Sequence, residues 1–268
     1  MPVAKPQQPR IYQPAGAPIF WALMHAPSKT FGSDTGDVAD LMRGTAAGTR
    51  TAGCAWTNGP YGRCLSFDGV GYCTMADSTA LALGASLFEI CCRVKTTTSG
   101  SRRTIMHKFA YVGGGGSEPG VYIDILSTGI IRCALQSDNS NSMYGDSAVT
   151  VNDGNWHDIA YRRTSATSQQ IVIDGIDRTT STALAGSPFG ITCSQPLGIG
   201  QPWPNFTNSP FVGQIDNVRI RNFNSKLQDI NKEAADPFWR LRPTARPMLG
   251  TLPATPRLMY NFRRRRTG

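Results

Sequence analysis

The stretch from Asp153 to Asp177 constrains the fold more than any other part of the chain. It reads Asp-Gly-Asn-Trp-His-Asp-Ile-Ala-Tyr-Arg-Arg, then a polar Thr/Ser turn, then Gln-Ile-Val-Ile-Asp-Gly-Ile-Asp. A turn at Asp153-Gly154 launches a strand led by Trp156 and running to Arg163, and Gln170 to Ile173 forms a second, apolar strand. Asp174-Gly175 follows, a dipeptide suited to a two-residue type I′ turn because both central positions need positive φ. A chain with such a hairpin at its centre is committed to antiparallel sheet, and the remainder repeats the same alternation of short strand and turn.

With 268 residues the chain can bury a substantial core as a single all-β sandwich. Further strands are predicted at Ile19 to Met24, Cys64 to Phe67, Gly71 to Met75, Leu87 to Lys95, Thr104 to Tyr111, Val121 to Leu126, Ile130 to Gln136, Ser147 to Val151, Leu197 to Gly200 and Gly213 to Arg221. In Leu87 to Lys95 the alternation puts Phe88, Ile90, Cys92 and Val94 on a core face and Glu89, Cys91, Arg93 and Lys95 on a wetter one. From Met24 to about Gly53 periodicity is weak, which predicts a long loop with a short strand or turn inside it. Gly113 to Gly116 reads as a loop tip and not a phosphate cradle, since no helix pattern or Lys-Ser/Thr pair follows. Ser225 and Gln228 form a capping-box pattern before Leu227, Ile230 and Ala234 at helical spacing, so one short helix is predicted, ended by Pro237.

Residues 1–18 hold five prolines and read as an extended arm, 19–236 as the sandwich, and 237–268 as a Pro/Arg-rich arm without a core of its own. The formal charge of +9 belongs to these ends: eight arginines and no acid lie beyond Trp239, while Ile11 to Trp239 is nearly neutral. Seven cysteines, an odd number without a Cys-x-x-Cys pair, and three histidines point to free, buried thiols, neither a disulfide framework nor a zinc site. No apolar signal core opens the chain and its early apolar run is too short to span a bilayer, so synthesis in a host cytoplasm and no membrane partner are expected.

Six segments taken together resemble the laminin-G-like branch of the concanavalin A-like jelly rolls. They are Gly62 to Gly69, Phe88 to Lys95, Asp153 to His157, Ile173 to Gly175, Leu197 to Gly200 and Gly213 to Ile220, in the family's order and spacing. The resemblance implies two antiparallel sheets with Greek-key connections and a family devoted mostly to binding or structural roles. The Gly-Pro-Tyr-Gly-Arg lead-in and the run Asp236 to Pro243 look like copies found in bacteriophage structural proteins, which implies a virion location.

Chemistry is sparse. Glycosidase relatives of this fold use paired carboxylates, but here there are only Glu89, Glu118 and Glu233 and no Glu-x-Asp-x-x-Glu arrangement, so no catalytic residue is expected. His157 and Asp158, as strand neighbours, face opposite sides and make no triad; His157 reads as a half-buried structural histidine. No cofactor is expected. Asp216 shares the parity of Val212, Val218 and Ile220, which would place a carboxylate on a packed face in need of a partner. Arginine or backbone donors would serve; the alternative is a structural Ca²⁺ shared with Asp68 or a loop carbonyl, an ion that some jelly-roll relatives carry near the final strand. Candidates for glycan stacking are Tyr144 and Trp203, although Pro202-Trp203-Pro204 could equally plug the sandwich edge.

The run Arg263, Arg264, Arg265 and Arg266, with Arg240, Arg242, Arg246 and Arg257, has three readings: a solvated tail, contact with nucleic acid or anionic lipid, or docking on an acidic protein surface. The reading carried forward is a non-enzymatic virion protein that decorates a capsid by docking its arms on neighbouring subunits, with nucleic acid not expected as a partner. The rival is a carbohydrate-binding module or adhesin whose sandwich recognises host-surface glycan.

Overall fold

The computed structural model describes residues 20–23, 38–40 and 45–236, apart from 79–80, 82, 84–86, 110, 113–115, 118, 138–140, 187–192 and 202–209. Both arms and Trp203 therefore lie outside the described residues.

Alternating side chains need two faces to bury, and two antiparallel sheets supply them. Sheet I runs in the order β4 (Cys54–Gly59), β5 (Gly62–Asp68), β19 (Val212–Arg221), β7 (Phe88–Lys95), β14 (Trp156–Arg163), β15 (Gln169–Ile173) and β16 (Ile176–Asp177). Sheet II runs β3 (Thr45–Arg50), β6 (Cys73–Met75), β18 (Leu197–Ile199), β8 (Arg103–Lys108), β11 (Gly120–Ile125), β12 (Ile130–Gln136), β13 (Ser142–Thr150) and β17 (Thr179–Ala185). Two short strands join the sheets along one side. β1 (Phe20–Leu23) pairs with the second half of β19 and with β2 (Val38–Asp40), and β2 pairs with β3. A two-stranded ribbon of β9 (Tyr111–Val112) and β10 (Gly116–Ser117) and one helix, α1 (Leu227–Ala235), complete the described elements. This is a jelly-roll sandwich with a single short helix.

The core lies between the sheets. Phe88, Ile90, Cys92 and Val94 of β7 meet Ile123 and Cys133 of sheet II, none more than 3% exposed. Phe67 packs edge-on against Phe211 at 5.9 Å and Phe88 against Tyr161 at 5.6 Å, the favoured aromatic geometry. All seven cysteines are free and buried. Burial pushes the Cys54, Cys64 and Cys92 thiols up to about 12, so they remain neutral packing groups.

The central hairpin forms as its dipeptide requires: Ile173 pairs with Ile176 across Asp174 (φ 50°) and Gly175 (φ 75°). A Cβ on Gly175 would sit 1.6 Å from Asn231 Oδ1, so the turn also fits closely under α1. The expected loop between Met24 and Gly53 instead contributes β2 and β3, whose pairing comes from distant partners and not from local alternation. β13 begins at Ser142, earlier than its apolar residues suggest, and β17 has no apolar period because it is an exposed strand of small residues.

Two readings of the C-terminal part are corrected. Ser225 is not a capping box: its hydroxyl donates to Glu89 Oε1 at 3.0 Å and its N–H to Glu89 Oε2 at 3.0 Å, while Lys226 takes the N-cap position without a side-chain cap. Asp216 does not share a face with Val218 and Ile220. It pairs with Arg93 and Arg219 pairs with Cys91, so Asn217 (φ 54°) and Val218 together oppose Cys92. That extra residue is a β-bulge, which inverts the inside-outside parity beyond it. Ile215, Val218 and Ile220 enter the core and Asp216 faces outward.

Candidate functional site

The outer face of sheet I is largely closed. Glu89 and Cys91 of β7, expected on a wetter face, are 0% and 3% exposed because α1 lies across them. Burying a carboxylate demands paired charge and hydrogen bonds. Arg221 donates to Glu89 at 2.5 Å and to both Glu233 oxygens at 2.7 Å, Arg219 donates to Glu233 at 2.5 Å, and Arg162 reaches the Ser225 carbonyl at 2.5 Å. Beside this network Arg93 binds Asp158 at 2.6 Å and stacks over the Tyr61 ring at 4.6 Å. Tyr61 and Arg93 both donate to the Ala234 carbonyl near the end of α1. Glu89 and Glu233 thus share one arginine under a helix, and no substrate can reach between them. Glu118 lies outside the described residues.

The outer face of sheet II carries a different pattern. Cross-strand register places His107, Tyr122, Ala134, Tyr144 and Ala183 in one row and Thr104, Asp124, Arg132, Asp146 and Ser181 in the next. Tyr122 and Tyr144 stand 6.5 Å apart at 55°, and Arg102 lies over the Tyr122 ring at 5.1 Å while donating to Asp124 at 2.6 Å. Burial pushes the Asp124 carboxyl up to about 7 against the pull of Arg102. Arg132 grips Asp146 through two parallel bonds of 2.7 Å, with side chains 35% and 20% exposed. β17 borders this pair with exposed residues as small as Ser181 and Ala183, so Tyr144, half-buried, and the Arg132–Asp146 pair are open from that side.

Of the residues singled out in the sequence, Tyr144 therefore stands on an aromatic and ion-paired platform. Trp203 and the arginines Arg240, Arg242, Arg246, Arg257 and Arg263 to Arg266 lie outside the described residues. Asp68 accepts the N–H groups of Val70 (2.8 Å) and Gly71 (3.0 Å), which hold its carboxyl below the usual range. Asp68 pairs with Val212, four residues from Asp216, roughly 13 Å along the strand, so the two cannot share an ion. Asp216 is 1% exposed and burial pushes its carboxyl up to about 6. Among the described residues no group of three or more His, Cys, Asp and Glu side chains could hold a metal ion, and no helix is long and apolar enough to cross a membrane.

His157 and Asp158 do face opposite ways: Asp158 binds Arg93, while His157 bridges Asp174 at 2.8 Å and Asp153 at 3.0 Å. Sequence reasoning missed Tyr122 and the Arg132–Asp146 pair. Tyr122 sits in an apolar run, and the pair is formed by two strands whose register depends on the whole sheet. The alternation Arg132, Ala134, Gln136 against Ile131, Cys133, Leu135 was the available signal.

A family model, Laminin_G_3 of the concanavalin A-like lectin/glucanases superfamily, matches residues 67–231. No curated protein matches the sequence. Among solved structures the fold is similar to the binding domain of Paraclostridial Mosquitocidal Protein 1 (TM-score 0.61, 10% identity, covering 80% of this chain and 51% of that one). It is also similar to domain 4 of AbnA, a GH43 extracellular arabinanase from Geobacillus stearothermophilus, solved with arabinotriose (TM-score 0.54, 15% identity, 80% and 97% covered). A third is botulinum neurotoxin type C, whose cell entry depends on interaction with two ganglioside molecules (TM-score 0.58, 15% identity, 85% and 52% covered). The chain spans about half the length of the two toxin structures and nearly all of the arabinanase domain.

Proposed function

The chain belongs to the concanavalin A-like lectin/glucanases superfamily, and from that premise we propose that it is a non-catalytic, lectin-like module binding carbohydrate on the outer face of sheet II. The observation that carries the proposal is the half-buried Tyr144 beside the bidentate Arg132–Asp146 pair, open along β17. A pyranose offers an apolar C–H face and a rim of hydroxyls. The Tyr144 ring suits the face, and the Asp146 carboxylate can accept from hydroxyls to which the Arg132 guanidinium donates. Fixing Arg132 and Asp146 on each other before a ligand arrives lowers the ordering cost of binding.

The arabinanase domain solved with arabinotriose and the neurotoxin whose cell entry depends on gangliosides support a glycan partner for this chain. The engagement of Glu89 and Glu233 with Arg221 supports a binding role over a glycosidase role. Screening the full chain on a glycan array and repeating it with Tyr144→Ala tests the reading. Tyr144→Ala is expected to weaken glycans held at this platform by at least about tenfold, equivalent to about 1.4 kcal/mol, with a cooperative melt showing that the fold is retained. An array on which the unmodified chain binds no glycan sinks it.

A further inference from the structure

On sheet I the four cross-strand rows of the outer face that pass through β7 have different fates. The rows through Glu89 and Cys91 lie under α1, and the row through Arg93 lies under Tyr61. The last row, Ser66, Gln214, Lys95 and Trp156, is covered by neither. It spans three inter-strand steps, about 14 Å. A cavity of about 360 Å³ opens there, with Val212 its apolar side chain and Ser66, Gln214 and Lys95 among its polar lining; Phe67 borders it, with its ring turned into the core.

Its polar groups are uncommitted. Thr96 spends its hydroxyl on the Val212 carbonyl at 2.7 Å, but Ser66, Gln214 and Lys95 make no side-chain hydrogen bond or ion pair among the described residues. The space is also a product of the backbone. Gly213 has φ 131°, and a Cβ there would come within 2.2 Å of the Lys95 carbonyl, so no side chain can occupy that position. Among the described residues Lys95 is the one charged side chain lining the cavity. The acids nearest in sequence to its rim are engaged: Asp68 with the Val70 and Gly71 N–H groups, and Asp153 with Asn155 at 2.8 Å and His157 at 3.0 Å.

We propose that this cavity is a second ligand site, separate from the sheet II platform, and that it takes an acidic sugar: a pyranose unit bearing a carboxylate. A hydroxyl, a carboxamide and an ammonium beside an apolar floor match adjacent hydroxyls, one anionic group and a C–H face. Trp156, the register partner of Lys95 on the same face and half-buried, extends the apolar side. A neutral sugar covering Lys95 would remove water from the ammonium without supplying counter-charge, so the site selects for the acid.

The full chain is titrated with sodium glucuronate and with glucose, followed by amide chemical-shift changes. Glucuronate is expected to move the amides from Lys95 to Thr97 and of Gly213 and Gln214, and to bind at least about tenfold more tightly than glucose. Lys95→Met should abolish that preference, Gln214→Ala should weaken both sugars at these amides, and Tyr144→Ala should leave the glucuronate shifts at Lys95 to Thr97, Gly213 and Gln214 unchanged. Lys95 is partly exposed, and a thermal melt of each variant verifies its fold. Equal binding of the two sugars, a preference surviving Lys95→Met, shifts confined to Ser142 to Asp146, or no shift with either probe each overturns the proposal.

Discussion

His157 holds both ring nitrogens against carboxylates, tying the Asp153 loop to the Asp174 turn. Burial pulls its pKa down, but the bonds to Asp174 and Asp153 outweigh it and the net shift is upward from 6.5. A raised histidine pKa means that the protonated ring is favoured by the folded state. Its contribution is complete below the unfolded pKa and is lost as pH rises through the higher folded one. Asp124 (about 7) and Asp216 (about 6) are raised by burial, so ionisation in the unfolded chain also erodes stability as pH climbs from about 4 to about 7. Melting temperature is therefore expected to fall between about pH 5 and pH 8. His157→Gln should flatten the upper part of that curve, leaving the part due to Asp124 and Asp216. A variant with the full slope of the unmodified chain would remove His157 from the explanation.

At the scale of elements, α1 is attached to sheet I more by charge than by apolar area, with Ile230 its buried apolar contact and Glu233 its buried acid. Removing one partner from a buried ion pair leaves an uncompensated charge and costs about 3 to 5 kcal/mol. Glu233→Ala should lose stability in that range by denaturant titration, since it takes the carboxylate partner from Arg219 and leaves Arg221 with Glu89 alone. Ser225→Ala removes one of several donors to Glu89 and should cost about 1 to 3 kcal/mol. β7, β14, β15, β19 and α1 were legible in the sequence because their own residues carry period and turn chemistry. β2, β3 and β17 were not, since their pairing partners lie far along the chain and their side chains follow no period. The same difference separates the sites. Tyr144 could be named from its polar setting, whereas Arg132–Asp146 and the row Ser66, Gln214 and Lys95 exist only once strands are in register. Asp216 was misplaced because one bulged residue, Asn217, carries no signal that parity analysis can read.

At the scale of the molecule, the eight arginines beyond Trp239 are separate in charge from a nearly neutral sandwich. In our reading residues 237–268 serve attachment and not recognition. Deleting them should leave melting and glycan binding within error of the full chain, while abolishing incorporation into any particle that carries it; a loss of glycan binding on deletion would place recognition in the arm instead. The sandwich has another large-scale property. β19 lies between β7 and the β5 and β1 edges, and β18 lies between β6 and β8, so each sheet has an interior strand drawn from residues beyond 196. During synthesis β5, β6, β7 and β8 leave the ribosome as strands with unfilled neighbours, and at roughly 5 to 20 residues per second the wait for β18 and β19 lasts on the order of ten seconds. Exposed strand edges in that interval invite wrong pairing. The nascent chain thus has no self-sufficient half: it needs shielding until nearly all of the sandwich has emerged, and then closes both sheets within one short stretch of translation.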